Sequence, residues 1–498
     1  TGLFSMQQTN NQYSAQSAES FMSDDYGYHN MNAGEKNISI SSSLTETAML
    51  SYMLRLNYSY KSRYLITLTG RQDGYSAFGT NNKYAFFPSV ALAWNINSEK
   101  FMAGTSKWLD QLKLRLSYGS NGNQAISAYQ TLDRLSAVKK YLFGDEATPV
   151  NGVYLPTNGV GNPNLKWETT NTFNAGLDYS FLNGRLLGSF DFYVSNTKDL
   201  LMSRSVPYMN GYRSIMDNIG STRNIGLEFV LTSVNIRNKD FEWRTTFNLA
   251  WNKDEITKLA DNATQDLTNK WFVGESSRVY YDYNVVGTWQ TNEATWDATK
   301  KKYINADGKE IQKGAVPGSA KLEDVNGDGV IDSNDKKVIG SKLPSITSAL
   351  TNNFAYKNVY ASFVLTGLFG QWRQMHDYNF DRWMPEFNYL SGMNYWTEDN
   401  PTNEMTSPVY VPFNKHGFYK RMNYVHIKNV TLGYRLPKEW ANSLGLQSIK
   451  CDLSVNNLYT FSNIKNALNF DSTQDDEKGA VIGYPTARSY MFTLNVSF

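Results

Sequence analysis

An all-β fold is what this sequence predicts, and three observations carry the prediction. The final stretch alternates without a break: Tyr490, Phe492, Leu494, Val496 and Phe498 fall on one face of an extended chain, and Met491, Thr493, Asn495 and Ser497 on the other. The same two-residue period recurs along the chain. No apolar run reaches the ~18 residues of a spanning helix, so any passage through a bilayer is made by strands. Lastly, short and long connections alternate, as in a barrel with tight turns at one membrane face and long loops at the other. Together these ask for an antiparallel transmembrane β-barrel. A soluble sandwich or solenoid would also alternate, but these strands are long for a soluble sheet and no short Gly-rich repeat marks a solenoid.

Composition agrees. At 498 residues the chain could hold several ordinary domains, yet charged residues are only 19 % while aromatics are 14 %, and Tyr (33) outnumbers Trp (12), as suits rings placed at two membrane–water boundaries. A net charge of +2, with no long block of like charge, gives no support to a nucleic-acid or polybasic-surface reading. The single cysteine, Cys451, has no internal disulfide partner and reads as a small apolar residue. Residues 1–20 carry no basic flank, apolar centre or cleavage signature, so the chain is expected to start inside a longer protein.

In order, residues 1–47 are polar and aperiodic and are expected to be the tail of an extracellular loop; 48–498 are expected to form the carboxy-terminal part of the barrel. Leu50 to Lys61 and Tyr64 to Leu68 make the first hairpin. Further strands centre on Val90–Ile96, Leu112–Tyr118, Phe173–Phe181, Phe190–Val194, Ile225–Leu231, Trp243–Trp251, weakly on Leu267–Val273, then on Tyr281–Gln290, Leu350–Tyr356, Val359–Leu365, Val425–Leu436, Ile449–Tyr459 and Tyr490–Phe498. That is about fifteen strands of roughly 9–13 residues, long enough to cross a bilayer at a tilt. The long connections, 121–169, 198–222, 291–345, 370–423 and 461–489, all fall outside if the last strand ends in the periplasm. An odd number leaves unpaired edges in lipid, so the remaining strands are expected upstream or on another chain.

One stretch has specific ligand chemistry. Asp324 to Asp335 reads DVNGDGVIDSND, with oxygen donors Asp324, Asn326, Asp328, Asp332 and Asp335, a carbonyl from Val330 and Gly329 at the sharp turn, the spacing of a calcium loop. Asp335 stands where such loops carry Glu, so its reach is shorter. A tight Asn/Asp/Gly turn is the plain alternative. If Ca2+ binds, its role is structural. The histidines are scattered, no nucleophile elbow or phosphate loop is present, and paired carboxylates such as Asp475-Asp476 lie in polar loops, so no enzyme site is expected and a glycoside hydrolase is disfavoured. Trp289, Trp296, Trp372, Trp383, Tyr389, Tyr395 and Trp396 lie in or beside outer loops, where rings could stack on a ligand, pack on one another or anchor at the interface. Arg55, Arg71, Arg115, Asp178, Asp191 and Glu228 are expected to line a wet lumen.

Six blocks resemble one family in its own order: Gly70–Phe101, Leu112–Gln124, Asn162–Arg185 (beginning NPNLKWETTN), Glu323–Gly340, Ile427–Pro437 and Tyr484–Phe498 are similar to successive parts of the SusC/RagA family of TonB-dependent outer-membrane transporters. The resemblance implies a bacterial outer-membrane location and a barrel of about 22 strands, of which this chain supplies the carboxy-terminal part. It also implies a plug domain and TonB-contact segment beyond this chain, a SusD-like surface lipoprotein as partner, import of oligosaccharides or peptides, and Phe498 as the signal read at barrel insertion. A surface adhesion barrel without active import is the alternative.

Overall fold

The computed structural model describes residues 1–143, 148–154, 160–207, 209, 212, 214–310, 312–375, 394–408, 416–464 and 487–498. Fourteen strands form one antiparallel sheet in which every neighbour in space is also a neighbour in sequence. They are β1 (Gly2–Glu19), β2 (Lys36–Tyr60), β3 (Tyr64–Tyr75), β4 (Tyr84–Asn95), β5 (Leu109–Asn123), β6 (Glu168–Phe181) and β7 (Leu186–Lys198). The series continues with β8 (Ser221–Arg237), β9 (Phe241–Lys258), β10 (Ile346–Tyr356), β11 (Val359–Gln374), β12 (Tyr419–Arg435), β13 (Ser448–Ser462) and β14 (Ser489–Ser497). Among the described residues no ladder joins β14 to β1, so the sheet is open.

The side-chain period sets the two faces. Tyr58, Leu92, Phe190, Leu453 and Phe492 project from one face and stay exposed in the isolated chain, as residues bound for hydrocarbon would. The opposite face carries hydroxyls and amides. An exception on the apolar face is instructive: Asn352 is only 5 % exposed, and its side-chain oxygen accepts from Trp243 Nε1 at 2.9 Å and Thr245 Oγ1 at 2.6 Å. Its carbonyl is thus satisfied within the protein, which a lipid-facing surface demands.

Thirteen of the expected strands take their places, with three corrections. Residues 1–47 are not a loop tail: Gly2–Glu19 pairs with Lys36–Leu54 of β2. Its alternation fails because both faces above Gln8 are polar; the ribbon rises past β3, whose pairing with β2 begins at Met49. The weak stretch Leu267–Val273 instead lies around a two-residue pairing of Gln265–Asp266 with Trp271–Phe272. Tyr281–Gln290 splits between Val279–Tyr283, paired with Lys336–Ser341, and Val285–Thr288, paired with Ala320–Leu322. A half-buried period shows that a segment is a strand; it does not say which sheet takes it. Removing two strands and adding one makes the count even, while the assignment of ends survives because the two false strands cancelled.

Short connections 61–63, 96–108, 182–185, 238–240, 357–358 and 436–447 therefore share one end. From the other end leave, and to it return, the connections 20–35, 76–83, 124–167, 199–220, 259–345, 375–418 and 463–488. Of the two longer inner turns, 96–108 winds through 3-10 turns and 436–447 through the short helix Lys438–Ser443.

The block beginning Asn162 ties three long connections together. Leu165 (0 % exposed) and Trp167 (4 %) pack with Phe78, Phe87 and Ile126, and Trp167 Nε1 donates to the Lys83 carbonyl at 3.0 Å. Asn162 Nδ2 donates to the Met216 carbonyl at 3.0 Å while its side-chain oxygen accepts from Asn164 N, and Glu168 accepts from Asn123 Nδ2 and Leu201 N. The knot is a small core of its own. Leu165→Ala is expected to cost about 2–5 kcal/mol locally, seen as earlier protease cleavage within 124–167 at unchanged barrel content by circular dichroism.

Candidate functional site

The polar face of the sheet is laddered by hydrogen bonds between neighbouring strands. Thr170 meets Thr197 at 2.8 Å, Thr172 meets Ser195 at 2.9 Å, Thr232 meets Thr246 at 3.1 Å and Thr431 meets Ser454 at 2.8 Å. Asn252 Nδ2 donates to Tyr193 Oη and Asn224 Oδ1. Such pairs leave hydroxyl and amide groups for water or a passing polar ligand while fixing the side chains.

At the centre of this face Arg115 of β5 makes a fork to two carboxylates on the next two strands. It donates to Asp178 of β6 through Nε (2.9 Å) and Nη2 (2.8 Å), and to Asp191 of β7 through Nη1 (3.0 Å) and Nη2 (2.9 Å). Two paired bidentate contacts use four of the five N–H donors of the guanidinium. Arg115 lies opposite Gly176, and Gly176 opposite Asp191. A Cβ on Gly176 would sit 2.5 Å from Asp191 Oδ1 and 2.7 Å from Arg115 Cζ, so the glycine is the gap through which arginine reaches across a strand. Three of the lumen residues expected from sequence, Arg115, Asp178 and Asp191, thus form one unit. Arg55 instead bonds Thr69, and Arg71 bonds Asp73 and Ser51.

At the long-loop end, 259–345 folds on small sheets and docks on 394–408 and 416–419. Asn403 Oδ1 accepts from Thr288 N (3.0 Å) and Gln290 Nε2 (3.2 Å), and Ser407 N donates to the Gly318 carbonyl at 2.8 Å. Asp282 Oδ2 accepts from Gly417 N and Tyr419 Oη. Trp396 is buried here, its Nε1 donating to Gln290 Oε1 at 2.8 Å and its ring lying against Gly318. Neighbouring Trp289 carries Lys321 Nζ 4.4 Å above its ring. Trp396 thus serves the docking, whereas Trp289 packs within 259–345. Trp296 is 52 % exposed, edge-on to Tyr303 at 5.2 Å in the hairpin Thr295–Ile304. Trp372 ends β11 against Gly340, and Tyr395 precedes Trp396 with 37 % exposure. Trp383 and Tyr389 lie outside the described residues. The aromatics are therefore not one constellation: sequence could place them in outer loops, but could not separate docking rings from free ones.

The acidic loop closes on its own amides. Asp324 accepts from Gly327 N and Gly329 N, Asn326 Oδ1 from Asp328 N, Asp328 Oδ1 from Val330 N and Asp332 Oδ1 from Asn334 N. Asp335 is fully buried and accepts from Val325 N and Asp332 N. Gly327 and Gly329 supply the positive φ of +73° and +79° that the turns need. In this arrangement no three acidic or imidazole groups among the described residues converge on a metal position. Phe498 is 86 % exposed just beyond β14.

Residues 1–327 match the family model described as TonB dependent receptor-like, beta-barrel. TonB-dependent receptor P3 of Formosa agariphila is 34 % identical over 520 residues, covering 100 % of this chain and 50 % of that protein. TonB-dependent receptor SusC of Bacteroides thetaiotaomicron is 32 % identical over 411 residues, covering 80 % of this chain and 38 % of its own length. The chain thus spans about half the length, or less, of the curated relatives it matches. Among solved structures the RagAB peptide transporter superposes with a TM-score of 0.77 at 24 % identity, over 100 % of this chain and 56 % of that one, a likeness of fold.

Ion pairs stiffen the long-loop module. Lys337 Nζ and Asn284 Nδ2 both donate to Glu323, and Lys302 Nζ donates to Glu310; these donors hold both carboxyls below the usual glutamate range. A depressed folded pKa adds stability that is present above the unfolded value and lost as pH falls through the folded one. Protease resistance of 279–345 is therefore expected to be level near neutral pH and to decline below about pH 4.3, the ordinary glutamate value. Lys337→Met should lower the neutral plateau and flatten that decline, as read by limited proteolysis across a pH series.

Proposed function

The chain belongs to the TonB-dependent receptor β-barrel family, of the SusC/RagA kind, and is an outer-membrane protein; on that premise we propose that it forms the wall and mouth of an importer for oligosaccharides or peptides. Capture would take place among the long outer loops beneath a SusD-like surface lipoprotein, and passage would follow when TonB displaces a plug. The present residues would bind and guide the cargo and make or break no covalent bond. The observation that carries this reading is the wall itself, apolar on one face and laddered with hydroxyls and amides on the other, with its longest connections all at one end. The likeness to a peptide transporter supports a peptide cargo, and an exposed ring such as Trp296 would serve a sugar equally.

The free sides of β1 and β14 cannot face lipid, because their N–H and C=O groups would go unpaired. A family barrel of about 22 strands less the 14 seen leaves roughly eight to close it, together with the plug.

Native mass spectrometry of the complex extracted from its outer membrane in mild detergent is expected to show the barrel with a lipoprotein and a retained glycan or peptide. A barrel that comes out alone, with no cargo, and cells whose uptake survives deletion of TonB would favour adhesion over import. Trp296→Ala is expected to weaken cargo retention by roughly two- to tenfold, the worth of one lost aromatic contact.

Calcium is proposed only as a structural ion, held by Asp324, Asn326, Asp328, the Val330 carbonyl, Asp332 and Asp335. The donors are the hard oxygens that calcium takes, though Asp324 and Asp328 would have to turn partly from amides to metal. Calcium should slow proteolysis of 291–345 and Asp328→Ala should remove that protection; cleavage rates indifferent to calcium and chelator would leave a plain Asn/Asp/Gly turn.

A further inference from the structure

On the apolar face, near the short-turn end, β2 to β5 leave a recess of about 660 Å³ lined almost wholly by carbon. Strand register builds it from two rows. Tyr60, Tyr64 and Trp94 stand side by side nearest the turns, and Tyr58, Ile66 and Leu92 form the next row into the membrane. Ile66 and Leu92 are shorter than the rings beside them, so they make a floor and the rings make a wall.

That wall is held from within the protein. Tyr60 and Tyr64 stack with centroids 6.5 Å apart, and Tyr64 and Trp94 at 6.4 Å. Tyr64 Oη and Trp94 Nε1 both donate to Glu99, at 2.5 and 3.1 Å, and Arg63 pairs with the same carboxylate at 3.4 Å. Two of the three polar tips are thereby occupied, Tyr60 being held by its stack on Tyr64, and the wall turns hydrocarbon toward the recess. At its lip, in the tight turn after β2, Lys61 holds its ammonium 5.2 Å from the Tyr60 ring, with no acidic side chain within ion-pair distance among the described residues. Long apolar floor, fixed aromatic wall and an unneutralised cation at the rim match the parts of a lipid.

We propose that this recess is a binding site for an anionic glycerophospholipid of the leaflet facing the periplasm, one acyl chain lying on Ile66 and Leu92 and the phosphate at Lys61. The assignment rests on the outer-membrane placement and on the short turns facing the periplasm. The rest of the apolar face also meets lipid. Here, however, the wall is hydrogen-bonded in place before the chain arrives, so less ordering is needed to bind.

The test uses the whole protein extracted in mild detergent, exchanged into micelles doped with phosphatidylglycerol or phosphatidylcholine, and read by native mass spectrometry. One phosphatidylglycerol should stay bound per protein, in about fivefold preference to phosphatidylcholine, the worth of one lysine near an anionic headgroup. Ile66→Trp with Leu92→Trp, which fills the floor, should lower retention about tenfold while heat-modifiable gel migration still reports a folded barrel. Lys61→Gln, which leaves the floor intact, should abolish the preference while keeping the neutral lipid. Equal retention by the filled variant, an unchanged preference in Lys61→Gln, or a two-protein mass without lipid, meaning that a second copy covers the recess, would each overturn the proposal.

Discussion

The structure depends on the demand that no backbone amide be left unpaired where water is absent. Fourteen strands meet it by pairing each with its chain neighbour, and the demand reaches side chains as well. Asn352 faces the apolar side and is tolerated because an indole N–H and a hydroxyl both point at its oxygen. Inside, where water or a polar ligand can enter, the same chemistry appears as open ladders of threonine, serine and asparagine. The two outer sides of β1 and β14 are the places where the demand is unmet by the chain itself, and they direct attention to what must lie beside them.

The lumen wall shows how a sheet carries concentrated charge. Arginine could not serve two carboxylates on two different strands if the intervening position had a side chain, and Gly176 removes it. Two acids and one base leave the cluster acidic overall, but each formal charge has hydrogen-bonded partners. The outer loops follow a different rule. They build small cores of their own around Leu165 and Trp167 and around Tyr283, Ala320 and Leu322, so the mouth is shaped by packing that owes little to the bilayer.

Much of the sheet was legible because a surface facing lipid on one side and water on the other writes an unambiguous two-residue period. Legibility failed where that contrast vanished. Gly2–Glu19 stands largely above the membrane with polar residues on both faces, and its strand character resides in pairing with β2, which periodicity cannot report. Tyr281–Gln290 failed in the opposite sense: it alternates because it is half-buried, but in a loop module. The acidic motif was visible as spacing, whereas its closure by backbone amides was not, since an Asx turn and a metal loop use the same letters. For the tryptophans, composition located the region and only tertiary contacts separated Trp396, bonded to Gln290, from Trp296, open to solvent.

Because the sheet has no crossover, its order in space repeats its order in time as the chain is made. Each hairpin can close on its own turn, and each new strand needs only the preceding one as template, so the search for partners stays local despite the size of the final sheet. The inserted loop modules, including the large one between β9 and β10, interrupt this order in sequence without interrupting it in space. A barrel wired in this way can be zipped into a membrane one hairpin at a time, and its loops can lengthen over generations without re-teaching the wall how to assemble.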